Sequence, residues 1–75
     1  MSKADEMLEE LGYTKHENNF GIYYHDKEDK YEEYISILFD KEDETIHFGT
    51  YITISELKAI NEKVKELGWL DVASN

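Results

Sequence analysis

The chain predicts a two-layer α+β sandwich. An antiparallel three-stranded meander, with a possible fourth short strand, carries two helices on one face in the order α-β-β-β-α. Three observations lead there. Both ends of the chain repeat apolar residues at helical spacing, whereas the middle alternates apolar and polar residues with a period of two. The middle is also cut by two nearly identical charged tetrapeptides, Asp26-Lys27-Glu28-Asp29 and Asp40-Lys41-Glu42-Asp43. Two amphipathic helices and a one-faced sheet then bury each other's apolar sides.

The first helix is expected over residues 3–11. Ser2 is a good N-cap with Asp5 three residues on, in a capping-box arrangement. Asp5 and Glu6 suit the positive end of the helix dipole. Ala4, Met7, Leu8 and Leu11 fall on one face, and Gly12 supplies the left-handed stop. Residues 13–17 read ambiguously, as a possible short edge strand, before an Asn18-Asn19 turn.

Three strands follow. Phe20–His25 sets Phe20, Ile22 and Tyr24 against Gly21, Tyr23 and His25. Tyr31–Phe39 sets Ile35, Ile37 and Phe39 against Tyr34, Ser36 and Leu38. Thr45–Ile52 sets Ile46, Phe48 and Ile52 against Thr45, His47 and Tyr51. Neither charged tetrapeptide contains glycine, so four-residue loops on type I turns are expected. Like faces must pair, since a one-residue slip inverts every side chain. That places Phe20, Ile37 and Phe48 in one inner row and Tyr23, Tyr34 and Tyr51 in one outer row.

The last element has the clearest signals. Thr53 and Glu56 form a T-x-x-E capping box with Ile52 and Leu57 as its staple. Leu57, Ile60, Val64 and Leu67 make an apolar stripe along residues 54–67. Gly68 ends the helix, and Trp69 and Leu70 fold back in a Schellman-type contact.

Seventy-five residues imply one domain over 1–75. With no cysteine, neither a disulfide nor a thiolate metal site is available. The core rests on apolar packing, to which six Tyr, three Phe and one Trp contribute large areas. The net charge is -10, and every basic residue is lysine. That balance argues against direct nucleic-acid binding and against anionic membrane surfaces. It favours basic protein partners, or serves solubility alone. No leader-type apolar segment follows Met-Ser-Lys and no run approaches transmembrane length, so a cytoplasmic protein is expected.

Chemistry has little purchase. His16, His25 and His47 lack metal-ligand spacing, the acidic loops lack the central glycine of a calcium loop, and no nucleophile or phosphate-binding motif occurs. The expectation is no cofactor, no metal and no enzyme activity. The outer sheet face is the informative surface. Tyr23, Tyr34, Tyr51, Leu38 and His47, flanked by Asp29 and Glu32, are the candidate partner-binding residues. They read either as a tyrosine ladder that only strengthens the sheet or as a protein interface, homodimerisation included.

The C-terminal stretch Glu56-Leu57-Lys58-Ala59-Ile60-Asn61-Glu62-Lys63-Val64-Lys65-Glu66-Leu67-Gly68-Trp69-Leu70 is similar to the tails of small acidic proteins of Firmicute phages and prophages. Met7-Leu8-Glu9-Glu10-Leu11-Gly12-Tyr13 and Phe39-Asp40-Lys41-Glu42-Asp43-Glu44-Thr45-Ile46 resemble theirs too. The resemblance spans most of the chain, and its motifs are structural, so no site residue follows from it. It implies an accessory, non-enzymatic role in binding a host or phage protein. The alternative it implies is a nucleic-acid-mimicking inhibitor of a defence nuclease, of the anti-restriction or anti-CRISPR type.

Overall fold

A computed structural model describes residues 2–28, 35–49 and 51–70. Helix α1 (Lys3–Glu10) leads into strands β1 (Tyr13–Glu17), β2 (Gly21–Asp26), β3 (Ile37–Asp40) and β4 (Thr45–Phe48), and helix α2 (Ile54–Glu66) follows. The strands form one antiparallel sheet in the order β1-β2-β3-β4. Both helices pack on the face that carries Ile22, Tyr24, Ile37 and Phe39. The architecture is the expected α+β sandwich, and the fourth short strand is present.

Local chemistry sets the ends of α1. The Ser2 hydroxyl accepts from the Asp5 amide at 3.1 Å. The reciprocal half of a capping box is not made by Asp5, whose carboxylate is used elsewhere. Ala4 and Leu8 are buried. Leu11, expected on the buried face, is the C-cap and is exposed. Gly12 takes φ of +96°, a conformation that costs a side chain strain.

The Asn18 turn marks the first departure from expectation. Its Oδ1 accepts from the amides of Phe20 at 2.8 Å and Gly21 at 3.1 Å. Phe20 follows this turn just before β2, its carbonyl accepting from the Lys41 amide at 2.9 Å, and its side chain is exposed rather than part of the core.

The register between β2 and β3 is a second correction. Tyr24, not Phe20, lies opposite Ile37, and Ile22 lies opposite Phe39. The shift is even, so each residue keeps its face. On the other edge of β2, Asp26 still pairs with Tyr13, and the Lys27 amide bonds Gly12 O at 2.8 Å. From Tyr24 to its partner Ile37 the connection spans residues 25–36, longer than a four-residue turn. The β3 ladder is correspondingly short, and Ile35, expected inside, is half exposed. The Tyr31–Tyr34 part of the expected strand lies outside the described residues.

The second hairpin keeps its expected register. Asp40 pairs with Thr45 and Ile37 with Phe48, enclosing a four-residue loop at 41–44. The Asp40 side chain accepts from the amides of Glu42 and Asp43 at 2.9 and 3.2 Å. Strand β4 stops at Phe48, so Tyr51 and Ile52 are not in the ladder. Phe48, expected inside, is half exposed.

Helix α2 begins with the full capping box. Glu56 N donates to Thr53 Oγ1 at 3.1 Å, and Thr53 N donates to Glu56 Oε1 at 2.7 Å. Its buried face is Ala59, Ile60, Lys63 and Val64. Leu57, expected in the stripe, is half exposed, because the packed face turns toward α1 where Lys63 reaches Asp5. The C-terminus is a Schellman motif. Trp69 N bonds Val64 O, Gly68 N bonds Lys65 O, and Gly68 takes φ of +78°. The motif sets the Trp69 ring 6.3 Å from that of Phe39.

Candidate interaction surface

Antiparallel pairing sorts residues by face. The face turned away from the helices carries Thr14 and His16 of β1, Gly21, Tyr23 and His25 of β2, Leu38 and Asp40 of β3, and Thr45 and His47 of β4. One continuous cross-strand row runs His16, Tyr23, Leu38, His47. Tyr23 and Leu38 are half-buried, and His16 and His47 are exposed.

Glycine at position 21 is required by this face. A Cβ there would meet Phe39 O at 2.9 Å and the Leu38 side chain at 3.0 Å. The Leu38 side chain therefore folds across the backbone of β2. His25 is buried on the same face, with its ring edge-on to that of His16 at 5.1 Å. The sequence concealed this pair, because it forms only once residues 13–17 become a strand.

Of the candidate residues, the structure brings Tyr23, Leu38 and His47 into one row. Tyr51 does not join them. It lies beyond the end of β4 and is 85% exposed. The place expected for Tyr34 beside Tyr23 is taken by Leu38. Tyr34, Asp29 and Glu32 themselves lie outside the described residues. The acids at the margins separate into two groups. Asp40, Glu42, Asp43 and Glu44 sit at the β3–β4 turn, and Asp26 and Glu28 sit at the far end of β2.

The helix side holds a polar cluster that sequence reasoning missed. The Asp5 carboxylate accepts from Tyr24 Oη at 2.8 Å, Lys63 Nζ at 3.0 Å and Lys15 Nζ at 2.9 Å. Lys63 is 1% exposed and also reaches Glu66 at 2.6 Å. Burial works against the charged form of Asp5. The hydrogen bonds from Lys15, Tyr24 and Lys63 outweigh it and hold the carboxyl well below the usual range. Burial and the bond to Asp5 push the Tyr24 phenol far up.

A second bond joins Tyr13 to Glu56, whose other oxygen serves the capping box. Burial and this bond raise the Tyr13 phenol, and the same bond lowers Glu56. An open groove of about 540 Å³ lies between α1 and the sheet, lined by Asp5, Glu9, Tyr13, Thr14, Lys15 and Tyr24. Asp5, Lys15, Tyr13 and Tyr24 each spend their polar atoms on a partner within the chain. One signal for the cluster existed. Lys63 lies at i+3 from Ile60 and beside Val64, inside the apolar stripe, where a lysine needs a buried carboxylate.

Among the described residues no group of three or more His, Asp or Glu side chains could hold a metal ion. No helix of the described residues is long and apolar enough to cross a membrane. Comparison with known proteins finds no matching family model, no matching curated protein and no matching solved structure.

Proposed function

We propose that this protein is a non-enzymatic binding module, an accessory protein of the phage or prophage kind, which docks a protein partner on its outer sheet face. The row His16–Tyr23–Leu38–His47 carries this reading. It is an aromatic and aliphatic strip on the side of the sheet away from the helices, and aromatic residues of that type anchor protein interfaces. The net charge of -10 selects for a basic partner and speeds its approach.

The test is capture from a bacterial host lysate with the intact chain and with Tyr23→Ala, followed by mass spectrometry. A partner held by the parent and lost by the folded variant is the expected result. Equal retention by a variant with an unchanged circular dichroism spectrum removes the sheet face from the reading. A nucleic-acid mimic is the alternative. The six residues of β2 put its two acidic groups only about 20 Å apart. Competition by duplex DNA for the captured partner, with a steep loss of affinity in salt, would favour the mimic.

A further inference from the structure

We propose that the outer edge of β4 is a strand-addition site that takes an extended, basic segment of the partner, an inference that rests on the protein-binding role above. The sheet has two edge strands, β1 and β4. Natural sheets blunt their edges with charges, proline, bulges or a cover. Strand β1 is blunted. Lys15 and Glu17 sit on its helix-side face and are tied down by Asp5 at 2.9 Å and Lys41 at 2.7 Å. Strand β4 reads Thr45-Ile46-His47-Phe48, with no Lys, Asp, Glu or Pro, and no described element lies along its outer side. An unblunted edge is a template for another strand, with main-chain hydrogen bonds giving affinity and alternate side-chain seats giving specificity.

Ile35 and Leu38 on the β3 side and His47, Phe48 and Gly49 on the β4 side line an open depression of about 220 Å³, one strand spacing inside the free edge. Ile35 and Phe48 are each about half exposed, and a side chain at Gly49 would meet nothing within 4 Å. Charge selects the occupant. The preceding turn exposes Glu42, Asp43 and Glu44, and its one lysine, Lys41, is already bound to Glu17. A lysine or arginine of the incoming strand faces that turn while an apolar side chain meets Phe48. The two positions are about four residues apart, or roughly 13 Å along a strand. A second copy of this chain is disfavoured, because each copy carries a net charge of -10.

The probe is a synthetic seven-residue peptide, Lys-Thr-Val-Thr-Phe-Thr-Lys, titrated into the isotopically labelled full chain and followed by backbone amide shifts. The expected result is saturable binding with the largest shifts at Thr45–Phe48. Methylation of alternate peptide nitrogens, which keeps every charge and side chain, should weaken binding at least tenfold. Replacing both lysines by glutamate should abolish it. Equal affinity of the methylated peptide would mean charge adhesion without strand pairing and overturns the proposal. Shifts confined to His16, Tyr23 and Leu38 also overturn it, while leaving the sheet-face reading intact. Peptide-free self-association at β4 that strengthens with salt overturns it in favour of a second copy.

Discussion

The two ends of the sandwich use their side chains in opposite ways. At the α1–β1 end, charges are drawn inside. Asp5 gathers Lys15, Lys63 and Tyr24, and Lys63 carries Glu66, so two helices and two strands meet on one carboxylate. At the β3–β4 end, apolar side chains are left outside. Ile35 and Phe48 are half exposed, and Tyr51 is almost free of contact. A chain this small has little core, and many of its acidic residues crowd its surface. The contrast shows polar contacts joining the buried Ala4 and Leu8 in packing α1, while apolar area at the other end stays on the surface. The first end should therefore be intolerant of substitution and the second tolerant.

The largest expected effect is at Asp5. Asp5→Ala leaves the buried Lys63 with Glu66 as its remaining described partner, so the loss falls toward the low end of the about 3–5 kcal/mol that breaking a buried pair costs. That is a large share of the roughly 4–11 kcal/mol expected for a domain of this length. The pH dependence has a definite sign. Asp5 has a lower pKa folded than unfolded, where it is about 3.9. Its contribution is thus complete above the unfolded value and is lost as pH falls toward the folded one. Glu17, Glu56 and Glu66 are shifted in the same direction. Urea melts of the parent should lose stability steadily below about pH 4, and Asp5→Ala should lose less over the same range. Parallel losses in the two proteins would place the acid sensitivity elsewhere.

How far the sequence reveals this fold depends on what each signal is made of. Caps and stops are local chemistry, so Ser2, Gly12, the Thr53–Glu56 box and the Gly68 stop are legible residue by residue. Strand faces follow from parity and survive the register shift. The register itself does not, because parity admits every even shift and Tyr24 opposite Ile37 is one of several pairings that keep the faces. The interaction row was half legible for the same reason. Tyr23, Leu38 and His47 were assigned to the correct face, but their alignment needed the shifted register, and His16 needed β1. The Asp5 cluster joins residues 58 positions apart, a separation that no local sequence signal spans.

Gly21→Ala tests whether the outer face is as closely packed as Leu38 implies. The added methyl would lie 2.9 Å from a backbone oxygen, which cannot move without disturbing the ladder. Overpacking of this kind costs about 1–3 kcal/mol. Chemical denaturation should report that loss with an unchanged slope, and no loss would mean that β2 and β3 can separate at this point. Tyr13→Phe should have a smaller effect, about 1 kcal/mol, because it removes one part-buried hydrogen bond to Glu56 and leaves the capping box intact. A loss several times larger would show that the tyrosine, and not the box, anchors the start of α2.

The smallest expected effect belongs to the open end. Tyr51→Ala removes a ring that is 85% exposed and lies outside the ladder. Such a surface change should alter stability by less than about 0.5 kcal/mol. The outcome bears directly on the division between the two ends. If thermal melting falls by many degrees, Tyr51 is holding the β4–α2 connection, and the apolar surface there is structural after all. If melting is unchanged, the exposed ring of Tyr51 is free of any folding duty. Affinity for a partner or for the strand peptide can then be measured on the variant without correcting for loss of fold. That separation is what a docking surface requires, and at the other end α1 packs on α2 and β1 through Ala4, Leu8 and the part-buried Asp5.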